Sequence, residues 1–416
     1  MKIFCIGIGG IGLSALARYY KHQGHDVSGS DAGESELIET LRSEGISVVI
    51  GKDKTHITED INQVVYTIAI PENHTELLQA QKFGIICKTY PEALGEITKE
   101  KKTIAICGTH GKTTTTAMTY HALKACGINP TVIVGSLLEG HNTNFILGDS
   151  EWMVVEACEY KRSFLNLHPA HIIVTNVDAD HLDYYKDIYD IKSAFQSFAE
   201  KLSGDGFLVT HNDVDLKTSG KKIDADIVDL SSISLNVLGE HNKRNAQLVI
   251  SLLTNLGLDE GKIREGLLEF KGTWRRLEYK GKYKGAIFYD DYGHHPTEIK
   301  ATLEAIREKY KAGKFKLVVV FQPHLYSRTK LLFNDFVQAF SLADKICVLP
   351  IYASREELDD SISSYDLVEQ MNNSISMENL EEVKKYIDSN VHSGGVVLTI
   401  GAGDVYKFHS MYEFDK

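Results

Sequence analysis

Apolar positions along the chain form short runs separated by longer stretches of helical periodicity. Lys2–Ile8 is a strand-like run, followed by a turn and a helical pattern over Leu13–Gln23. Asp26–Ser30, Val64–Ile68 and Ile85–Cys87 are further strands, with a helix over Glu76–Phe83. The charged run Thr98–Lys102 reads as a linker, after which Thr103–Cys107 opens a second unit. Strands at Trp152–Glu156, Ile172–Thr175 and Phe207–Thr210, and helices at Ile188–Leu202 and His241–Leu256, continue it. A third unit begins near Gly272, with strands Ala286–Asp290, Leu317–Phe321, Lys345–Leu349 and Val396–Ile400. Alternation of this kind predicts an α/β chain of parallel sheets with helices on both faces.

Composition narrows the function classes. The 416 residues are 43% hydrophobic and 25% charged, with a net charge of −12. That is enough apolar surface for two or three folded domains. The acidic balance argues against a general nucleic-acid binder. Cys5, Cys87, Cys107, Cys126, Cys158 and Cys347 are scattered without a C-x-x-C pair, as expected for reduced thiols in a cytoplasmic protein. Lys2 followed by apolar residues to Ala17 superficially resembles a secretion leader, but Gly7, Gly9, Gly10 and Gly12 suit a strand and a phosphate turn better. No run approaches the 18 apolar residues of a membrane span.

Two glycine turns carry the chemistry. Gly7-Ile8-Gly9-Gly10-Ile11-Gly12 fits G-x-G-x-x-G between a strand and a helix, and Asp31 follows 19 residues after Gly12. Glycine admits a diphosphate close to the backbone and the helix N-terminus favours its charge. Alone, this suggests a dinucleotide with Asp31 on a ribose. The second turn, Gly108-Thr109-His110-Gly111-Lys112-Thr113-Thr114, is a shortened P-loop with Ile106 where the longer motif has glycine. Its N–H groups would cradle phosphates, Lys112 would reach the β and γ oxygens, and Thr113 could ligate Mg²⁺. A dehydrogenase needs one nucleotide pocket. Two imply ATP plus a substrate that carries its own diphosphate.

Other candidates fall at predicted strand ends, where open α/β sheets bind ligands. Glu156 ends one strand, and Asn176 and His181 follow the next, so they should face the P-loop. A carboxylate with an imidazole suits Mg²⁺ or Mn²⁺. In the third unit, Asp291, Tyr292, His294 and His295 precede a helix that Pro296 would start, capped by Asp291 or Thr297. His324 and Arg328 follow the next strand.

Together these segments resemble the Mur ligases, ATP-dependent amide-forming ligases of peptidoglycan synthesis. The resemblance runs in order through Gly7–Ser14, Gly108–Thr116, Glu156–Tyr160, Thr175–His181, Gly239–Ala246, Gly272–Glu278, Asp290–Glu298, Phe321–His324 and Gly401–Asp404. It implies an α/β fold of three domains: a Rossmann-like N-terminal domain over 1–99, a central P-loop ATPase-like domain over 100–271 and a Rossmann-like C-terminal domain over 272–416. The opening glycines and the Asp-Asp-Tyr-Gly-His-His-Pro and Gln-Pro-His stretches most resemble the branch that adds L-alanine to UDP-N-acetylmuramate.

Carried over, the resemblance places the UDP-sugar diphosphate on Gly7, Gly9, Gly10 and Gly12, with Asp31 beside it. ATP would meet Gly108 to Thr114, His241, Asn242, Asn245 and Arg276, with Asp291 at its ribose and Tyr292 at its base. Thr113, Glu156 and His181 would hold the metal. Lys112, His181, Arg276, His294 and Arg328 would form the reacting centre, the last two facing the amino acid. Leu325 stands where many members have arginine, which leaves Arg328 as the carboxylate anchor. The segment Lys88–Glu92 replaces a more usual Arg-Ala-Glu. Neither Lys186 nor Lys192 has the spacing of a carbamylated lysine. The implied enzyme is a monomer or homodimer. Rival readings are a recycling ligase that attaches a stem tripeptide to the same sugar, a folate-type ligase, an NAD-dependent dehydrogenase and an inactive scaffold. The P-loop disfavours the dehydrogenase, and retention of Lys112, Glu156, His181 and Arg276 disfavours the scaffold.

Overall fold

A computed structural model describes residues 1–138, 143–182, 184–354 and 356–415. They divide into two compact units: Met1–Ser234 with Asn245–Phe270, and Leu235–Arg244 with Lys271–Lys416.

The first unit holds two sheets. Strands β1 (Lys2–Ile6), β2 (Asp26–Asp31), β3 (Ser47–Ile50), β4 (Gln63–Tyr66) and β5 (Ile86–Thr89) form a wholly parallel sheet in the order β3-β2-β1-β4-β5. The order reverses between β1 and β4, the place where doubly wound sheets open a crevice. The second sheet contains β6 (Lys102–Cys107), β7 (Thr131–Leu138), β8 (Thr143–Ile146), β9 (Trp152–Glu156), β10 (His171–Val174), β11 (Phe207–Thr210) and β12 (Lys221–Asp224). Its order is β12-β11-β10-β6-β9-β7-β8, so β6 lies between β9 and β10. Against the expectation of purely parallel pairing, β7 and β8 run antiparallel.

One core explains why these two sheets form a single unit. Ile3, Cys5, Leu13 and Leu16 belong to the same buried cluster as Ala105, Ile133, Phe145, Val155 and Phe164. Each buried leucine, isoleucine, valine or phenylalanine among them stabilises the fold by roughly 1.5–3 kcal/mol. The helix Ile11–His22 is also tied to β8 by polar contacts. Buried Arg18 donates to Glu44 (2.7 Å) and to the Asn144 side chain, whose amide donates to the Ile11 carbonyl and to Ser14 Oγ.

The second unit holds β13 (Glu278–Tyr283), β14 (Ala286–Asp291), β15 (Lys316–Phe321), β16 (Lys345–Val348), β17 (Ser374–Ser376) and β18 (Gly395–Ile400). They are ordered β13-β14-β18-β15-β16-β17, with only the β13–β14 pair antiparallel. Pro296 opens the helix Pro296–Lys309 as expected, but its cap is neither Asp291 nor Thr297. His295 is the N-cap and shares a capping box with Glu298. Among the described residues, no helix is long and apolar enough to cross a membrane.

Candidate active site

The carboxyl ends of β6, β9 and β10 bring together the P-loop, Glu156 and the segment 175–181. Gly108 (φ +137°) and Gly111 (φ +82°) adopt backbone angles that L side chains avoid. A Cβ at Gly108 would also collide with Thr175 Oγ1. The segment after β10 clamps the loop. Asn176 Oδ1 accepts from the His110 amide (2.9 Å), and Asn176 Nδ2 donates to the His110 carbonyl (3.0 Å). The Asp178 amide donates to Thr109 Oγ1 (2.8 Å).

Lys112 opens the helix Lys112–Ala125 and is nearly buried. Its Nζ donates to the carbonyls of Gly108 (2.6 Å) and Thr109 (3.0 Å) and pairs with Glu159 at 2.9 Å. Burial alone would lower this ammonium. The negative charges of Glu159 and Glu156 outweigh it and hold Lys112 above the ordinary lysine range. Burial would likewise raise Glu159, but Lys112 and His181 hold it below its ordinary 4.5. Next to this pair, Glu156 Oε2 accepts from Thr113 Oγ1 (2.9 Å) and from the Gly135 amide (2.8 Å). His181 has a left-handed φ of +54°, a strained conformation for histidine, and its ring lies 4.8 Å from that of Tyr160.

The first glycine turn faces the same region. Gly7 and Ile8 amides donate to the Ser30 carbonyl, and the Gly9 amide donates to Asp31 Oδ2 (2.8 Å). Asp31 therefore braces the turn from beneath. A cavity of about 340 Å³ is lined by Gly10, Gly12, Tyr90 and Thr67 on one side and by Gly135 and Glu156 on the other. One open cleft thus joins the first glycine turn to the carboxylate that touches Thr113.

In the second unit, Asp291 accepts from the Leu277 amide (2.6 Å) and the Gly293 amide (2.7 Å). Burial pushes its carboxyl up to about 6, against the pull of nearby Arg276. Arg275 and Arg276 both lie 5.2 Å from the Tyr292 ring. The two arginines are not equivalent. Arg275 is buried, bonded to Asp290 (2.8 Å) and to the Gly401 and Gly403 carbonyls, whereas Arg276 is partly exposed, 3.7 Å from Glu298. His294 lies 3.7 Å from Glu298 and its ring is 5.9 Å from His324, which contacts Arg328 at 3.2 Å. Leu325 is buried, so its side chain packs inside this unit.

Sequence comparison agrees with this geometry in every segment. The pattern of the Mur ligase family catalytic domain matches residues 2–102, that of the Mur ligase middle domain 106–234, and that of the Mur ligase glutamate ligase domain 275–403. The UDP-N-acetylmuramate–L-alanine ligase of Caldicellulosiruptor saccharolyticus is 41% identical, covering 98% of this chain and 97% of its own. The chain belongs to the Mur ligase family. The solved UDP-N-acetylmuramate-alanine ligase of Thermotoga maritima superposes with a TM-score of 0.81 at 28% identity, over 99% of this chain and 98% of that one. A murein peptide ligase from Psychrobacter arcticus shares the fold (TM-score 0.72, 22% identity, 99% and 97% covered). The three-domain α/β architecture is that of the Mur ligases.

Within this Mur ligase, the first unit brings Lys112, Thr113, Glu156 and His181 into one neighbourhood. Asn245 joins them, because a Cβ on Gly111 would come within 2.9 Å of its Oδ1. Asn242 belongs to the second unit, where its side-chain amide donates to the Leu238 carbonyl at 2.7 Å. His241 is also in that unit, its pKa lowered by burial. Two residues with no role in the sequence reading emerge here: Glu159, which neutralises Lys112, and Gly135, which orients Glu156. The second acidic residue three places after Glu156 was the available signal for Glu159. The donor set fits a hard divalent cation. Thr113 and Glu156 offer oxygens side by side, and His181 Nδ1 is buried without a hydrogen-bond partner among the described residues.

Proposed function

We propose that this chain joins L-alanine to the lactyl carboxylate of UDP-N-acetylmuramate in the cytoplasm, consuming ATP and releasing ADP and phosphate. The observation that carries this reading is the 340 Å³ cavity running from the glycine turn to Glu156. A sugar nucleotide whose diphosphate rests on Gly7, Gly9, Gly10 and Gly12 would point its sugar toward the P-loop. Residues 1–99 then serve the sugar nucleotide, 100–271 serve ATP and 272–416 serve the amino acid.

The chemistry follows from the charges. A carboxylate and an ammonium do not condense unaided in water. The lactyl carboxylate oxygen attacks the γ-phosphorus, the bond to the β-phosphate oxygen breaks, and ADP leaves an acyl phosphate. Lys112 neutralises the phosphates as their charge moves, while Glu159 and the loop carbonyls fix its ammonium. Thr113, Glu156 and His181 would hold Mg²⁺, which supplies further positive charge for the two anionic reactants. Asn245 contributes on the nucleotide side. Arg276 supplies a further cation to the phosphates, and Asp291 and Tyr292 take the ribose and base. The deprotonated amine of alanine then attacks the acyl carbon, and the carbon–oxygen bond to phosphate breaks. Arg328 anchors the alanine carboxylate and His294 faces its amine.

The test is ADP release with ATP, Mg²⁺ and UDP-N-acetylmuramate, comparing L-alanine, L-serine, glycine and a stem tripeptide. Release with L-alanine well above the others is expected. Preference for the tripeptide would reassign the chain to recycling, and no release with any acceptor would overturn the substrate assignment.

A further inference from the structure

Tyr90 forms part of the wall of the cavity beside the first glycine turn. It is the first residue of the helix Tyr90–Thr98, which Thr89 and Glu92 fasten with a capping box. The phenol end lies against Gly12, the last glycine of the turn. A Cβ at Gly12 would come within 2.7 Å of the ring carbon that bears the hydroxyl and 3.0 Å of the hydroxyl oxygen. The described residues supply that hydroxyl with no hydrogen-bond partner. Burial, with the nearby Glu156 charge, holds its pKa above the ordinary tyrosine range, so it keeps its proton and can donate. Glu156 is the only charged side chain among the described residues that line the cavity. A dianionic diphosphate on this turn therefore meets no lysine or arginine in the cavity wall.

We infer that the Tyr90 hydroxyl donates a hydrogen bond to a diphosphate oxygen of the sugar nucleotide. The turn then holds this diphosphate with backbone N–H groups and a neutral phenol, where the second turn uses an ammonium. This rests on the proposed reading of the first turn as the sugar-nucleotide site. It also gives the departure at Lys88–Glu92 a function specific to this chain.

The test is titration calorimetry of wild type and Tyr90→Phe with UDP-N-acetylmuramate, with UDP and with ATP. Phenylalanine keeps the ring against Gly12, so the melting temperature should not move. Affinity for UDP-N-acetylmuramate and for UDP should both fall roughly 10-fold, the effect of losing one hydrogen bond to a charged acceptor, while ATP affinity holds. Unchanged affinity for both would overturn the proposal. Loss for UDP-N-acetylmuramate with UDP unchanged would place the bond on the sugar and overturn the diphosphate contact. A second measurement needs no variant. Between about 50 and about 500 mM salt, wild-type affinity for UDP-N-acetylmuramate should change by less than roughly threefold. A much steeper fall would reveal a cation and contradict a neutral site. Wild type that binds ATP but no UDP-N-acetylmuramate would instead refute the functional reading itself.

Discussion

The two glycine turns share a strand–turn–helix geometry and differ in how they treat charge. At the first, the backbone is braced by Asp31 and Ser30, and the described cavity wall contains no cation. At the second, a nearly buried Lys112 is held between loop carbonyls and Glu159, with Glu156 and Thr113 alongside. Backbone dipoles suffice where a diphosphate is only held. Formal charge is concentrated where phosphate bonds are made and broken. On the proposed function, the turn conformation marks each phosphate site, and the charges around Lys112 mark the one that does chemistry.

The sharpest way to break this contrast is Lys112→Ala. ADP formation should fall by roughly 10³-fold or more, because charge neutralisation at the phosphates is lost. UDP-N-acetylmuramate affinity, read by calorimetry, should stay within about twofold on the measured scatter of such contacts. A parallel collapse would mean the turns do not act separately.

Glu159→Gln tests the buried pair from the other side. Leaving the ammonium without its carboxylate should destabilise the fold by about 3 kcal/mol, measured by denaturant unfolding. The pH dependence has a defined sign. Glu159 lies below its ordinary 4.5, so its contribution is present above that value and fades as the pH falls through the depressed one. Lys112 lies above its ordinary 10.5, so its contribution is present below that value and fades as the pH rises through the raised one. The variant should lose the acid-side dependence that wild type shows.

Asp291, which belongs to the second unit, serves as a control for the charge account. Its carboxyl is raised to about 6, so its protonated form is favoured in the folded chain. Its contribution to stability is therefore present below the ordinary 3.8 and lost as the pH rises through about 6. Binding to the ATP ribose by the ionised form would make kcat/KM for ATP rise through that same pH. Asp291→Asn should flatten this limb and leave the pH profile for UDP-N-acetylmuramate unchanged.

The smallest expected effect sharpens the uncharged turn. Asp31→Ala removes the acceptor for the Gly9 amide, a bond of about 1 kcal/mol. KM for UDP-N-acetylmuramate should rise about fivefold, which is that energy expressed as a ratio, with KM for ATP unmoved. Equal movement of both constants would make Asp31 a general structural residue.

Much of this was legible in the sequence because it depends on local chemistry. Trp152–Glu156 and Phe207–Thr210 are strands with the predicted bounds, and both glycine turns sit between strand and helix as expected. Period-2 apolar runs and glycine spacing carry that information within a dozen residues. The rest required the chain to return on itself. The antiparallel edge of Thr131–Leu138 and Thr143–Ile146 has no alternation to announce it, since Gly135 and Ser136 break the apolar run of the first strand and the second is half polar. Glu159 gains its role only when the helix Lys112–Ala125 lies across from it. Asp31 and Asp291 were legible as polar residues at strand ends, but their bonds to backbone amides were not.

Activation of the sugar carboxylate by direct attack on ATP can be followed with one isotope experiment. UDP-N-acetylmuramate labelled with ¹⁸O in both lactyl carboxylate oxygens would be turned over with ATP and L-alanine, and the released phosphate analysed by mass spectrometry. The acyl phosphate route delivers one labelled oxygen to each phosphate, because the bond that breaks is between acyl carbon and that oxygen. Unlabelled phosphate, with product formed at the normal rate, would contradict it.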